Sequence, residues 1–168
     1  MITKQQVMQK ATAIGYPSLT QAEKDIYNSI DMRLAIYETA KSCMGKKMSP
    51  IFKAYGCAES VNNVVMMAIG TAVGGGASTY QMYQELKKNK RFKKIDIPEE
   101  GDIVISPSGY GNGKIANGHV GILSAGNFIM SNNSDTLKWD THYDIDSWKA
   151  RYQKKGGFPV DFFRVKSA

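Results

Sequence analysis

Two residues in this sequence have the types and settings of a thiol-nucleophile site. Cys57 follows Gly56 and opens the run Cys57-Ala58-Glu59-Ser60-Val61-Asn62-Asn63-Val64-Val65-Met66-Met67-Ala68. Val61, Val64, Val65 and Ala68 recur at helical spacing, and Cys57 extends their stripe by one turn. A thiol at a helix start lies beside free backbone N–H groups and the positive end of the helix dipole. That setting favours the thiolate, which is the reactive species. The N–H of Cys57 itself is a natural donor to an oxyanion. Farther along, His119 stands near the start of the strand-like run Gly118-His119-Val120-Gly121-Ile122-Leu123. A nucleophile opening a helix and a base on a later strand are two of the three roles of a thiol hydrolase.

The third role belongs to a polar group that holds the imidazole. It is expected on the strand paired with that of His119, since a hairpin brings neighbouring side chains to one face. Ser131, Asn132 and Asn133 are the candidates. An amide oxygen accepts from an imidazole N–H more naturally than a hydroxyl does, so Asn132 is preferred, with Ser131 and Asn133 open until the register is known. A free cysteine more often fills a core than does chemistry. Cys43 reads that way, at the end of the stripe Ile36, Ala40, Cys43 in a helix-like run, Met32 to Met44, that closes at Gly45. A Cys43–Cys57 disulfide would close only a short loop, and two cysteines in a chain of this size do not make a disulfide framework.

These residues need a scaffold, and 168 residues with 42% hydrophobic content supply one ordinary domain with a real core. No apolar run reaches the roughly 18 residues of a membrane span. Met1-Ile2-Thr3-Lys4-Gln5-Gln6 lacks the apolar core of a signal peptide, so the chain is expected to be made in the cytoplasm. The net charge of +7 favours anionic partners. Its densest block, Lys87-Lys88-Asn89-Lys90-Arg91-Phe92-Lys93-Lys94, reads chiefly as a solvated helix end that adds surface attraction. A nucleic-acid partner is not expected, because only Phe92 interrupts that block and no recognition motif accompanies it. His119 and His142 are the only histidines and no short metal-ligand spacing is present, so neither a zinc site nor another cofactor is expected.

Residues 1–30 read as a helical accessory segment, with Thr20-Gln21-Ala22-Glu23 as a capping box. Helices are expected over Met32 to Met44, from Cys57 to about Ile69, and from Ser78 to about Lys88. The pattern then changes to strands: Asp102 to Ser106, the His119 strand, Phe128 to Asn132 and Pro159 to Val165. The glycine-rich segment Pro107 to Gly118 reads as a long hairpin loop bordering a cleft. Asp146 is expected to cap a helix that stops at Gly156. Helices followed by antiparallel strands make an α+β domain.

Several stretches together resemble the NlpC/P60 and CHAP-type cysteine peptidases, papain-like enzymes of bacterial cell walls. They are Leu34-Ala35-Ile36-Tyr37-Glu38-Thr39-Ala40-Lys41, Gly56-Cys57-Ala58-Glu59-Ser60-Val61-Asn62, Pro98-Glu99-Glu100-Gly101-Asp102-Ile103-Val104 and Gly118-His119-Val120-Gly121-Ile122. The likeness is closest to phage-encoded members, through Cys-Ala-Glu-Ser-Val-Asn at the nucleophile and Ser-Asn-Asn-Ser after the histidine strand. It spans about residues 30–168. It implies a papain-like fold, N-terminal helices packed on a small antiparallel sheet, with residues 31–168 as the catalytic domain. It also implies cleavage of a peptide or amide bond in bacterial peptidoglycan, as an endolysin or a virion-associated lysin. Action in the cell wall, in the periplasm or within a phage particle follows, with other phage proteins as partners. Many relatives carry Asp where this chain has Gly56, and many use His or Glu as the third residue. His142 could take that role only if a loop brought it back. A non-catalytic tail or wall-binding protein on the same scaffold is the competing reading, and it would need neither thiol nor imidazole.

Overall fold

The computed structural model describes residues 1–167. Helices α1 (Lys4–Ile14) and α2 (Gln21–Asn28) each start at a reciprocal capping box, Thr3 with Gln6 and Thr20 with Glu23. Asp31 caps α3 (Met32–Ser42), which ends at the buried Cys43. Helix α4 (Cys57–Ile69) starts at Gly56 without a side-chain cap and stops at Gly70, whose φ of 80° suits glycine. Helix α5 (Thr79–Lys88) is capped by Ser78 and carries Lys87 and Lys88 in its last turn, where the dipole favours cations.

Six strands form one antiparallel sheet: β1 (Phe92–Ile95), β2 (Ile103–Ser106), β3 (His119–Leu123), β4 (Phe128–Asn132), β5 (Trp139–Asp144) and β6 (Asp161–Val165). Their spatial order is β1-β6-β2-β3-β4-β5. The domain is therefore α+β, with the helices gathered on the sheet as the sequence predicts. On one face Ile103, Ile105, Val120, Ile122 and Met130 pack with Ile36, Ala40, Val61, Val64 and Val65 of α3 and α4. On the other, Val104, Leu123, Ile129 and Phe162 meet Trp148, Tyr152 and Phe158. Both faces of the central strands are thus buried, which is why β2 and β3 read as continuous apolar runs rather than as an alternation.

Two strands depart from the sequence reading. β1 takes Phe92 to Ile95 out of the basic block, which is a helix end only as far as Lys88. It is an edge strand pairing with β6, and its exposed Lys93 and Lys94 are residues that protect a sheet edge. β5 is polar except for Trp139, which is fully buried and donates its indole N–H to the Ala40 carbonyl at 3.0 Å. Neither strand has a local apolar period, and each is created by its partner. The helix before Gly156 also differs: Asp144, not Asp146, caps α6 (Ile145–Trp148), which continues as the π-helical segment Lys149–Lys155. Among the described residues no helix is long and apolar enough to cross a membrane.

Candidate active site

Cys57 is placed by the loop in front of it. A Cβ at Gly56 would meet Ser49 Oγ at 1.4 Å and Ser49 Cβ at 2.4 Å, so any side chain here would displace Ser49. Ser49 Oγ donates to Glu59 Oε1 at 2.5 Å, and the same oxygen accepts the N–H groups of Ile51 and Phe52 at 3.3 and 3.0 Å. The Glu59 carboxylate, in the first turn of α4, therefore ties the loop 49–52 to the helix that presents the thiol. Cys57 Sγ rests against the backbone N–H groups of Ala58 and Val120. Those donors favour a thiolate, but desolvation outweighs them and pushes the thiol up to about 11. The expectation of a thiolate at the helix start is thus corrected: burial wins over the helix terminus, and Cys57 is a neutral thiol at neutral pH. Both cysteines are free, and Cys43 belongs to the core as predicted.

His119 opens β3, opposite Ser106 of β2. The loop leading to it is pinned to the start of α5. Thr79 Oγ1 and Ser108 Oγ are 2.9 Å apart, and Gly118 N–H donates to Ser108 Oγ at 2.8 Å. A Cβ on Gly118 would come within 2.0 Å of the Ser106 carbonyl, so the residue before the histidine also has to be glycine. The His119 ring is only 8% exposed. It stacks at 5.0 Å on Trp148 and at 5.8 Å on Tyr152, with His142 6.0 Å away. Burial first, and then the charges of His142 and Arg151, depress its pKa to about 3. The imidazole is neutral at neutral pH.

The register of the β3–β4 hairpin decides which residue holds this ring. Ile122 pairs with Met130 and Leu123 with Ile129, so Ser131 falls on the His119 side and Asn132 on the α4 side. Accordingly His119 Nε2 and Ser131 Oγ are 3.0 Å apart. Asn132, the preferred candidate, also lines the cavity; its Nδ2 donates to the Lys53 carbonyl at 2.8 Å and its buried Oδ1 has no partner among the described residues. Asn133 shapes the following turn and donates to Asp140 at 3.2 Å. The physical reason that Ser131 rather than Asn132 bonds the ring is the two-residue period of a strand, which sends neighbouring side chains to opposite faces.

A cavity of about 810 Å³ takes its lining from both sides of the sheet. Cys57 and Asn132 contribute from the α4 side, and His119, Tyr143 and Tyr152 from the other. The predicted nucleophile and base thus face one space, without a direct hydrogen bond between them. The loop residues Ile115 to Gly118 form part of the rim, as expected of that segment. His142 also lines the cavity, and its Nδ1 lies 2.6 Å from Asp140 Oδ1. β5 and the π-helical segment bring in His142 and Arg151, which the sequence offered no motif to find. Among the described residues no group of three or more His, Cys, Asp or Glu side chains could hold a metal.

The structure is an α+β fold with a thiol and an imidazole on one cavity. The family of bacteriophage peptidoglycan hydrolases, Amidase_5, matches residues 28–168, and the chain belongs to that family. Among solved structures it is similar to a chain of the type VI native effector–immunity complex Tae3–Tai3 from Ralstonia pickettii. The two are 18% identical with a TM-score of 0.53, over 80% of this chain and 98% of the other, a likeness of fold. No curated protein matches the sequence.

Proposed function

We propose that this protein hydrolyses a peptide or amide bond of bacterial peptidoglycan by a Cys57–His119 thiol mechanism on a papain-like frame of the NlpC/P60 type. The observation that carries the reading is the convergence of the Cys57 thiol, at the first turn of α4, and the neutral His119 imidazole on one cavity. Membership of the phage peptidoglycan hydrolase family supplies the substrate class. Residues 31–168 are the hydrolytic unit and residues 1–30 an accessory segment, a division supported by the family match beginning at residue 28. The protein serves as an endolysin or a virion-associated lysin.

With His119 Nε2–H donating to Ser131 Oγ, the Nδ1 lone pair is the base. Substrate binding brings the reacting groups together in the cavity. The Cys57 thiol proton passes to Nδ1, directly or through one water, as sulfur attacks the carbonyl carbon. The oxyanion forms beside the free N–H groups at the start of α4. The intermediate collapses by expelling the amine, which takes the proton from Nδ1, and leaves a thioester. Water, deprotonated by the same nitrogen, then releases the acid and restores the thiol.

The decisive experiment is mass spectrometry of fragments released from purified peptidoglycan by the wild-type protein and by Cys57→Ala. New termini at one bond, absent with Cys57→Ala, are expected. Intact peptidoglycan, or equal release by both proteins, overturns the reading and favours a wall-binding protein or another nucleophile.

A further inference from the structure

The wall of the Cys57–His119 cavity contains one permanently charged side chain, Arg151, and no carboxylate. Arg151 lies in the π-helical segment Lys149–Lys155, and both it and the adjacent Tyr152 border the cavity. Its guanidinium sits over the Tyr152 ring, 5.6 Å from the centroid. Among the described residues it forms no ion pair, although six pairs join Lys or Arg to carboxylates elsewhere in the molecule. Asp140, the carboxylate bound to the lining residue His142, is already engaged: His142 lies at 2.6 Å and Asn133 donates to it at 3.2 Å. A guanidinium has five N–H donors in a planar fork, so Arg151 retains donors beyond its contact with Tyr152. A planar carboxylate is the group that such a fork binds with two parallel hydrogen bonds.

We infer that Arg151 is a specificity-determining residue that receives a free carboxylate of the peptide portion of the substrate. The protein therefore selects cell-wall peptides bearing the acid over those in which it is a carboxamide. This inference rests on the hydrolase reading for its substrate class. Arg151 acts on the substrate's charge and takes no part in bond breaking. Its charge is also felt at His119, so a carboxylate seated on Arg151 would ease protonation of the base beside it. Two charge-assisted bonds in a partly enclosed site correspond to about a tenfold to hundredfold preference.

The test separates binding from cleavage. Isothermal calorimetry on Cys57→Ala protein would compare two soluble muramyl peptides of identical sequence, one with free carboxyls and one with carboxamides. The acid form is expected to bind at least about tenfold more tightly. Adding Arg151→Gln should remove the difference, whereas Arg151→Lys, which keeps the charge but not the fork, should retain part of it. Equal binding of the two peptides, binding of neither, or an acid preference that survives Arg151→Gln overturns the inference. Wild-type protein that leaves the bound acid-form peptide uncut overturns the hydrolase reading instead, with the binding preference still decided by calorimetry.

Discussion

His119 and Ser131 face each other across the β3–β4 hairpin, with Nε2 3.0 Å from the hydroxyl oxygen. Ser131 is fully buried and His119 nearly so. The hydroxyl therefore fixes the tilt of a ring that Trp148 and Tyr152 already clamp by stacking. Such an arrangement orients the base without supplying charge, unlike an aspartate in the same role.

Ser131→Ala should lower kcat on a soluble muropeptide by about 10-fold to 100-fold, by analogy with the loss of other orienting partners. Asn132→Ala should act differently. Its amide ties down the Lys53 carbonyl in the loop that borders the cavity, so KM should rise more than kcat falls. Steady-state kinetics of the two variants separate the roles. A large fall in kcat for Asn132→Ala with Ser131→Ala unaffected would return the orienting role to Asn132.

The raised pKa of Cys57 gives a pH signature. Iodoacetamide reacts with the thiolate, and with a thiol pKa of about 11 that fraction grows about tenfold per pH unit through the range 7–10. Labelling of Cys57, followed by peptide mass spectrometry, should therefore be slow at pH 7 and climb steeply. Fast labelling that is flat between pH 5 and 8 would mean a preformed thiolate–imidazolium pair and would sink the neutral resting state.

His119 should make the fold acid-sensitive. Its folded pKa, about 3, lies below the ordinary histidine value of 6.5, so the unfolded chain binds the extra proton in between. Its contribution to stability is complete above pH 6.5 and is lost as pH falls toward 3. His119→Gln should flatten this part of the Tm-against-pH curve measured by calorimetry. A curve identical to wild type across that window would show that His119 does not titrate as its burial dictates.

Two histidines line one cavity, yet they should not be equivalent. His119→Ala should reduce turnover by about 100-fold or more, the usual contribution of a general base. His142→Ala should retain most of it, because its Nδ1 is committed to Asp140 on the rim. Retained turnover in His119→Ala with loss in His142→Ala would transfer the base to β5.

The basic block should govern wall association rather than chemistry. Lys87, Lys88, Lys90, Lys93 and Lys94 supply screened attraction to anionic wall polymers, with Lys88 and Lys94 partly offset by Glu85 at 3.2 Å and Asp161 at 3.4 Å. Arg91 also carries charge but is left in place in the test, because its guanidinium anchors the Ala72 carbonyl at 2.9 Å and its removal would disturb the fold. Replacing the five lysines with Gln should weaken activity on intact walls at low salt, while leaving a small soluble muropeptide unaffected. Equal loss on both substrates would mean that the changes disturb the fold.

Much of this molecule is local, and local features were legible in the chain. Thr20 and Ser78 mark helix starts because a side-chain oxygen beside free N–H groups acts within one turn. Cys57 at the head of α4 and His119 at the head of β3 follow from apolar periods read over a dozen residues. Sequence alone thus determined the α+β class and singled out the thiol and the imidazole that border one cavity. Tertiary structure decided what depends on partners distant in the chain. β1 and β5 exist because β6 and β4 offer them open edges. Ser131 rather than Asn132 meets His119 because a one-residue difference in register reverses the face. Arg151 and His142 reach the cavity through a π-helical segment and a strand without a sequence period. The resting charge states were decided there as well: desolvation is a property of everything packed around a group, and around Cys57 and His119 it exceeds the pull of the helix start and of any single neighbour.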